Sequence, residues 1–466
     1  DDLYTPGTTI YPRYLCETFS KIHNSNILTV RIQNIQLTNY VDNDYETVSI
    51  PMIITGSADK SIKFTSLLTG DVYNVCDIHK GGVLAIDFHP VYTNLMLTAS
   101  MDGSVALIDA STMEVKQVFK DHNKYVVRAK FSPDGNMLFT ASYDHTLIIY
   151  NISGSSTPTR LSSPYFVNSS MQTSPPIPTT PSSPLTPSTP FPLYSKMHTI
   201  TFESNIESLC ILPDSNYLIV GIRESNYLYY INLQHTKFKR QNFEITKHNM
   251  NANGDNWVSF TAMDIVASPN NGGKYLLVAT DDDNGRIIMF KTFNTSTCDI
   301  GEQNEIDKND SITSSTLIQL ANFYDIPSPE SSPSSSSPTS PSITIATDIS
   351  RKFTNPRLFW HPSGKYFYAC GIDAYPRVYS IESKRLIEKL KGHTNSDDDD
   401  KLSGHSDVVR GMWYDEERDL LVTCGFDKCV KIWGSDELCR EVMKDLKEEI
   451  DKKRIQGLFM RRNTIV

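Results

Sequence analysis

Three histidines stand at nearly constant distances ahead of three aspartates: His79 and Asp102, His122 and Asp144, and His405 and Asp427, separated by 23, 22 and 22 residues. A threonine lies four residues before each aspartate, at Thr98, Thr140 and Thr423. An imidazole, a carboxylate and a hydroxyl are the parts of a nucleophile, its base and the group that orients the base. In a single copy they would suggest acyl transfer or hydrolysis. Three copies argue against it, because an active site is built once whereas a structural device is repeated. The glycine pairs Gly81-Gly82 and Gly272-Gly273 sit in turns without phosphate-loop spacing. No His/Cys set has zinc-ligand spacing. The chain therefore reads as non-enzymatic, with no catalytic residue, no metal and no cofactor.

The elements holding these residues recur with them. The segments HKGGVLAIDFHPVYTNLMLTASMDGSVALID, HNKYVVRAKFSPDGNMLFTASYDHTLIIY and HSDVVRGMWYDEERDLLVTCGFDKCVKIW align almost residue for residue. In each, the His precedes an alternating apolar strand and a turn. A second strand of the form LxTAS or LVTCG follows, and the Asp opens a turn into a third strand. Four degenerate copies carry Asp59 (with His23 ahead of an enlarged first loop), Glu224, Asp283 and Asp373 at the turn. Asp59, Asp102 and Asp144 step by 43 and 42 residues. Setting insertions and ends aside, about 44 residues remain per repeat, the size of a four-stranded propeller repeat.

On these residues the chain resembles the WD40-repeat family over nearly all of its length outside the insertions and tail. The fullest motif is the seventh copy, with Gly404-His405 and the closing Lys431-Ile432-Trp433. The closing Trp is replaced elsewhere by Thr65, Ile108, Tyr150, Tyr230 and Tyr379, and Gly434 follows Trp433 where the family has Asp. The resemblance implies an all-β, seven-bladed WD40-type β-propeller; composition adds disordered Pro/Ser-rich insertions, and the residue pattern of the tail adds a short C-terminal helix. The resemblance also implies a hydrogen-bonded set within each blade. These sets are His405, Asp427, Thr423 and Trp433; His122, Asp144, Thr140 and Tyr150; and, in part, His79, Asp102 and Thr98. Residues 14–22 are expected to close the ring as the outer strand of the last blade, between a leader (1–13) and a tail (436–466), so that the propeller spans 14–435.

By the geometry of that family the turn aspartates face the top. The residues before them, Ala58, Met101, Tyr143, Arg223, Asp282, Ile372 and Phe426, should project at its rim. Large apolar side chains in hairpin turns suggest a contact surface. The partner-binding set is read as Met101, Tyr143, Ile372 and Phe426, with Tyr125, Arg128 and Arg410 adding an aromatic and two cations of the kind enriched at hot spots. Local packing over the rim is the competing reading.

Composition supports the same organisation. The chain has 466 residues with 25 Pro, 22 Gly and 39% apolar residues. Two stretches, 152–196 and 296–350, hold 15 of the prolines and too little apolar surface to offset the entropy of ordering. A third insertion, 393–404, carries Asp397 to Asp400 and reads as a solvated acidic loop. The two long insertions contain many Ser/Thr-Pro pairs, among them Thr157, Ser163, Ser174, Ser328 and Ser340, which suit proline-directed kinases. Ser435 to Arg454 reads as a helix with Leu438, Val442, Leu446 and Ile450 on one stripe, docking on the propeller or on a partner helix.

Net charge is −10, which opposes nucleic-acid binding through the overall field. No run approaches 18 apolar residues and the first residues do not form a signal peptide, so no membrane role is expected. The missing initiator Met suggests a processed chain or a fragment. Cys424 and Cys429 flank a tight turn, but the sequence looks intracellular and free thiols are expected there. The reading is a monomeric propeller, cytoplasmic and/or nuclear, acting as a scaffold that takes a protein or peptide on its top face. Two alternatives are a substrate receptor of a cullin-type ubiquitin ligase, whose Trp-Asp-x-Arg signature no repeat keeps, and a chromatin or nucleic-acid reader acting through local patches.

Overall fold

The structure, a computed structural model, describes residues 11–41, 44–153, 191–214, 216–233, 243–251, 260–269, 271–281, 286–292, 314–323, 355–392 and 404–435. No helix among them is long and apolar enough to cross a membrane. The expected C-terminal helix, the acidic run Asp397 to Asp400, the turn residues Asp282 and Asp283 and the named Ser/Thr-Pro sites fall outside the described residues.

Seven sheets form the blades, six of them antiparallel with four strands and one with five, of which the last is parallel. Their inner strands are Ile27–Val41, Val83–Phe88, Val126–Phe131, Ile206–Ile211, Ala262–Ala267, Arg357–Trp360 and Val409–Asp415. Sequence and burial agree on why these segments are strands. In the second blade the strand Leu95–Ser100 (LMLTAS) is buried at every position, because both of its faces lie against neighbouring blades. The outer strand Glu114–Phe119 is mostly exposed until Phe119. Strands buried on both faces read as continuous apolar runs, while half-exposed ones alternate.

The core is accordingly divided among the blade interfaces. Leu97, Leu107, Val126 and Ile148 join the second and third blades. Ile27, Ile53, Val422 and Ile432 join the first and seventh. Five further clusters fill the remaining interfaces, so the ring is packed all the way round. Closure comes from Tyr14–Phe19, which pairs antiparallel with Val430–Gly434 (Leu15 opposite Trp433, Phe19 opposite Val430). The strand ends at Phe19, short of residue 22, because Lys21 takes a left-handed conformation (φ 60°) as the chain turns toward His23.

Three placements differ from the sequence reading. The enlarged first loop is a hairpin: Ile27–Val41 and Asp44–Ser57 stay paired from Ile27 opposite Ser57 to Val41 opposite Asp44. Its base is held by neighbouring blades. Asn34 donates to Glu417 (2.7 Å) and accepts from Arg418 (2.8 Å), and the Asn94 side chain bonds both backbone groups of Gln36.

Second, the 296–350 stretch is not one insertion. Ser314–Thr316 adds a parallel fifth strand to Glu244–Asn249 in the fourth blade, and Ile318–Phe323 is the outer strand of the fifth. Leu317 and Phe323 are buried at 2% and 1% exposure, and that burial holds the segment. Third, the 152–196 stretch loses both ends to strands. Thr146–Ile152 pairs with Tyr194–Thr201, Ile152 facing Tyr194, and Tyr194 is buried with its hydroxyl donated to the Gly135 carbonyl.

Candidate functional site

The repeated His/Asp/Thr residues come together within single blades, never across them. In the seventh blade His405 Nδ1 lies 2.8 Å from Asp427 Oδ2 and its Nε2 lies 2.7 Å from Thr423 Oγ1. Trp433 Nε1–H donates to the same Thr423 oxygen at 2.9 Å. The donors run in one direction: indole to hydroxyl, hydroxyl to imidazole, imidazole to carboxylate. That chain requires a neutral imidazole, and burial lowers the pKa of His405 accordingly. His122 makes the same contacts with Asp144 (3.0 Å) and Thr140 (2.7 Å). Tyr150 stands in the place of the Trp and donates its hydroxyl to Asp121 at 3.0 Å. In the second blade His79 meets Thr98 at 2.8 Å but lies 3.8 Å from Asp102, because Ser104 bridges the two.

Two further sets complete copies of which the sequence showed only part, Asp59 with His23 in one and Asp373 in the other. His23, Asp59 and Thr55 form a full counterpart in the first blade (3.0 and 2.7 Å), with Ser61 also bonded to Asp59. Thr55 was readable as the residue four before Asp59. In the sixth blade Arg377, buried on a strand, grips Asp373 with two bonds of 2.8 and 2.6 Å. No motif signals this exchange of an imidazole for a guanidinium; only an Arg within the apolar run PRVYS hints at it. Cys424 and Cys429 are free thiols.

The turn residues bring a second group together on the top face. Tyr125 is 48% exposed, while Met101, Tyr143, Ile372 and Phe426 are half-buried. Tyr143 donates its hydroxyl to Glu207 at 2.8 Å, and Arg223 Nε donates to the other carboxylate oxygen at 2.7 Å. The Arg223 guanidinium sits 5.1 Å over the Tyr143 ring, and the Tyr125 ring is 6.2 Å away. Burial, then Glu207, pushes the Tyr143 pKa up to about 12, so it remains a donor. Arg128 is not on this rim. It is 8% exposed in the channel wall, donating to the Met263 carbonyl at 3.0 Å and approaching Asp264 at 3.4 Å. Its place on an inner strand turns it toward the ring axis. Arg410, half-buried, donates to the Asn355 carbonyl at 3.0 Å.

Inner strands of all seven blades line the central channel, whose internal volume is about 180 Å³. Arg31, Arg128, Lys130, Arg357 and Arg410 line it, together with Asp264. Among the described residues no group of three or more His, Cys, Asp or Glu is placed to hold a metal ion.

Comparison with known proteins bears on the same blades. The family model "WD domain, G-beta repeat" matches residues 70–109, 113–151 and 399–434. Pre-mRNA-processing factor 19 of Mus musculus is 36% identical over 75 residues, covering 16% of this chain and 15% of that protein. Protein tipD of Dictyostelium discoideum is 29% identical over 110 residues, 22% of this chain and 18% of the relative. Actin-interacting protein 1 of Caenorhabditis elegans is 28% identical over 67 residues, 14% and 11% of the two chains. The chain thus spans about 15% of the length of the first of these relatives. The matches come from the blades with recognisable repeats, and the remaining blades share their four-stranded antiparallel plan, with one strand added in the fourth, and close the ring. The chain carries WD40 repeats, matched at residues 70–109, 113–151 and 399–434, within a seven-bladed β-propeller.

Proposed function

We propose that the protein is a non-catalytic scaffold that binds a protein or peptide on its top face within a larger assembly. The observation that carries this reading is the group on the rim: an exposed Tyr125 beside a Tyr143 already held by Glu207 and Arg223. Aromatic side chains ordered before binding lose little entropy when a partner arrives. Half-buried Met101, Ile372 and Phe426 extend the apolar rim to other blades. The His/Asp/Thr sets support the non-catalytic part, since each is consumed by hydrogen bonds inside its own blade. A relative whose name states an interaction with actin accords with a binding role, without naming this chain's partner. The same reading places the protein in the cytoplasm and/or nucleus, as a monomeric propeller.

Affinity capture from cells with the intact chain and a Tyr125→Ala/Phe426→Ala variant tests it. Partners should be lost from the variant while its melting temperature stays within a few degrees; identical partner sets would remove the rim from consideration. Binding to DNA or RNA that weakens steeply with salt would favour a nucleic-acid reader instead.

A further inference from the structure

The protein carries a net charge of −10, yet its channel wall concentrates positive charge. Five cationic side chains, Arg31, Arg128, Lys130, Arg357 and Arg410, line it. Two carboxylates answer them, and both are already engaged. Asp264 accepts the Leu358 N–H at 2.8 Å while Arg128 and Arg357 approach one of its oxygens at only 3.4 and 3.6 Å. Asp87 accepts the Phe131 N–H at 3.0 Å and lies 3.9 Å from Arg31. Among the described residues Lys130 makes no ion pair, and Arg31 Nε is buried without a hydrogen-bond partner. Arg31 instead lies 4.0 Å over the Trp413 ring. Burial, followed by repulsion from Arg128, brings the Arg410 pKa down to about 10.

Five positive groups against two negative ones leave an excess of three charges in a space of about 180 Å³. A single carboxylate would leave most of that excess standing. A phosphate monoester brings about −1.5 to −2 charges and three acceptor oxygens, which guanidinium groups bind in pairs. We propose that the central channel, with Lys130, Arg31 and Arg410 among the cations of its wall, is a phosphoryl-binding site. The phosphoryl group can belong to a free phosphorylated compound or to a phosphorylated side chain inserted by a bound peptide. The volume suits a small anion or one side chain, and excludes a helix about 10 Å across. This site is separate from the rim and does not depend on it.

Calorimetric titration of the full chain with inorganic pyrophosphate, and with a phosphoserine peptide beside its unphosphorylated twin, tests the proposal. Wild type should bind pyrophosphate, with affinity falling about tenfold in Lys130→Gln and in Arg410→Gln, as expected for the loss of one charge-assisted bond. Lys130→Gln removes no ion pair and should melt like wild type without ligand. Lys116→Gln, on an outer strand, should bind as wild type does. A phosphopeptide that binds more tightly than pyrophosphate, through the same residues, assigns the source to a partner; the reverse order assigns it to a free compound. Absence of binding to either probe at about 1 mM, or binding unchanged in both channel variants, overturns the site. Phe426→Ala should retain pyrophosphate binding, so that failure of the rim and failure of the channel are told apart.

Discussion

At Thr423 a single hydroxyl serves two buried groups, accepting from Trp433 and lying 2.7 Å from His405 Nε2. Thr423→Val keeps the shape but leaves both without a partner, which should cost about 2–3 kcal/mol in urea unfolding. Thr423→Ser keeps the hydroxyl and should lose only about 1 kcal/mol, from the missing methyl. Equal losses in the two variants would show that packing, not hydrogen bonding, sets the cost. The imidazoles also make stability depend on pH. Burial lowers the pKa of His23, His79, His122 and His405 in the fold, while in the unfolded chain each titrates near 6.5. The unfolded state therefore takes up protons first, and stability present above pH 6.5 is lost as pH falls below it. Burial would raise Asp59 and Asp144, but hydrogen bonds from Ser61 and Thr146, with help from the histidines and backbone, hold both at about 2. Their contribution is present above pH 4 and disappears below it. Melting temperatures between pH 7.5 and pH 3 should fall in two stages; a flat profile between pH 7 and pH 5 would contradict the buried neutral imidazoles.

Among the elements, the turns after the aspartates take a left-handed residue at Lys60, Gly103, His145 and Lys428. Of these four only Gly103, in the second blade, is a glycine, and a Cβ added there would stand 2.9 Å from the His122 carbonyl. Lys428→Gly removes the left-handed penalty against some loss of chain entropy, and should stabilise by about 0.5 kcal/mol in denaturant melts. A destabilised variant would mean that the Lys428 side chain contributes packing that its exposure does not suggest. The closing strand matters more. Deleting residues 11–19 exposes the edge of Val430–Gly434 and uncovers Trp433, so the truncated chain should lose stability and self-associate on size exclusion. A truncated chain that stayed monomeric with an unchanged melting temperature would refute closure through this strand. The repeats made these elements readable: where His, Asp and the apolar strands recur, spacing placed them within a few residues. The segment 314–323 was missed because its surroundings are rich in Ser and Pro; the alternation in LIQLANF was the available signal.

At the scale of the molecule the ring divides stability among seven interfaces, and the third blade is completed by Thr146–Ile152 pairing with Tyr194–Thr201. Ile152 and Tyr194 face each other across that strand pair, so a short turn can replace residues 155–190 at little entropic cost. Such a chain should melt within about 3 °C of the parent, as loop-closure entropy changes slowly with length. A larger drop would mean that the excised stretch packs on the blades. The sequence alone determined the class of fold, the number of blades, the closing strand and which His, Asp and Thr residues meet in the strongest sets, because repetition averages out local ambiguity. Tertiary structure decided what repetition cannot carry. Arg377 replaces a histidine through a contact made only after folding, and the long hairpin is held by Asn94 and Arg418 of neighbouring blades. The channel is the clearest case. Its five cations come from four blades (Arg31; Arg128 and Lys130; Arg357; Arg410) and lie far apart in an acidic chain, so their charges meet only because the inner strands converge on one axis.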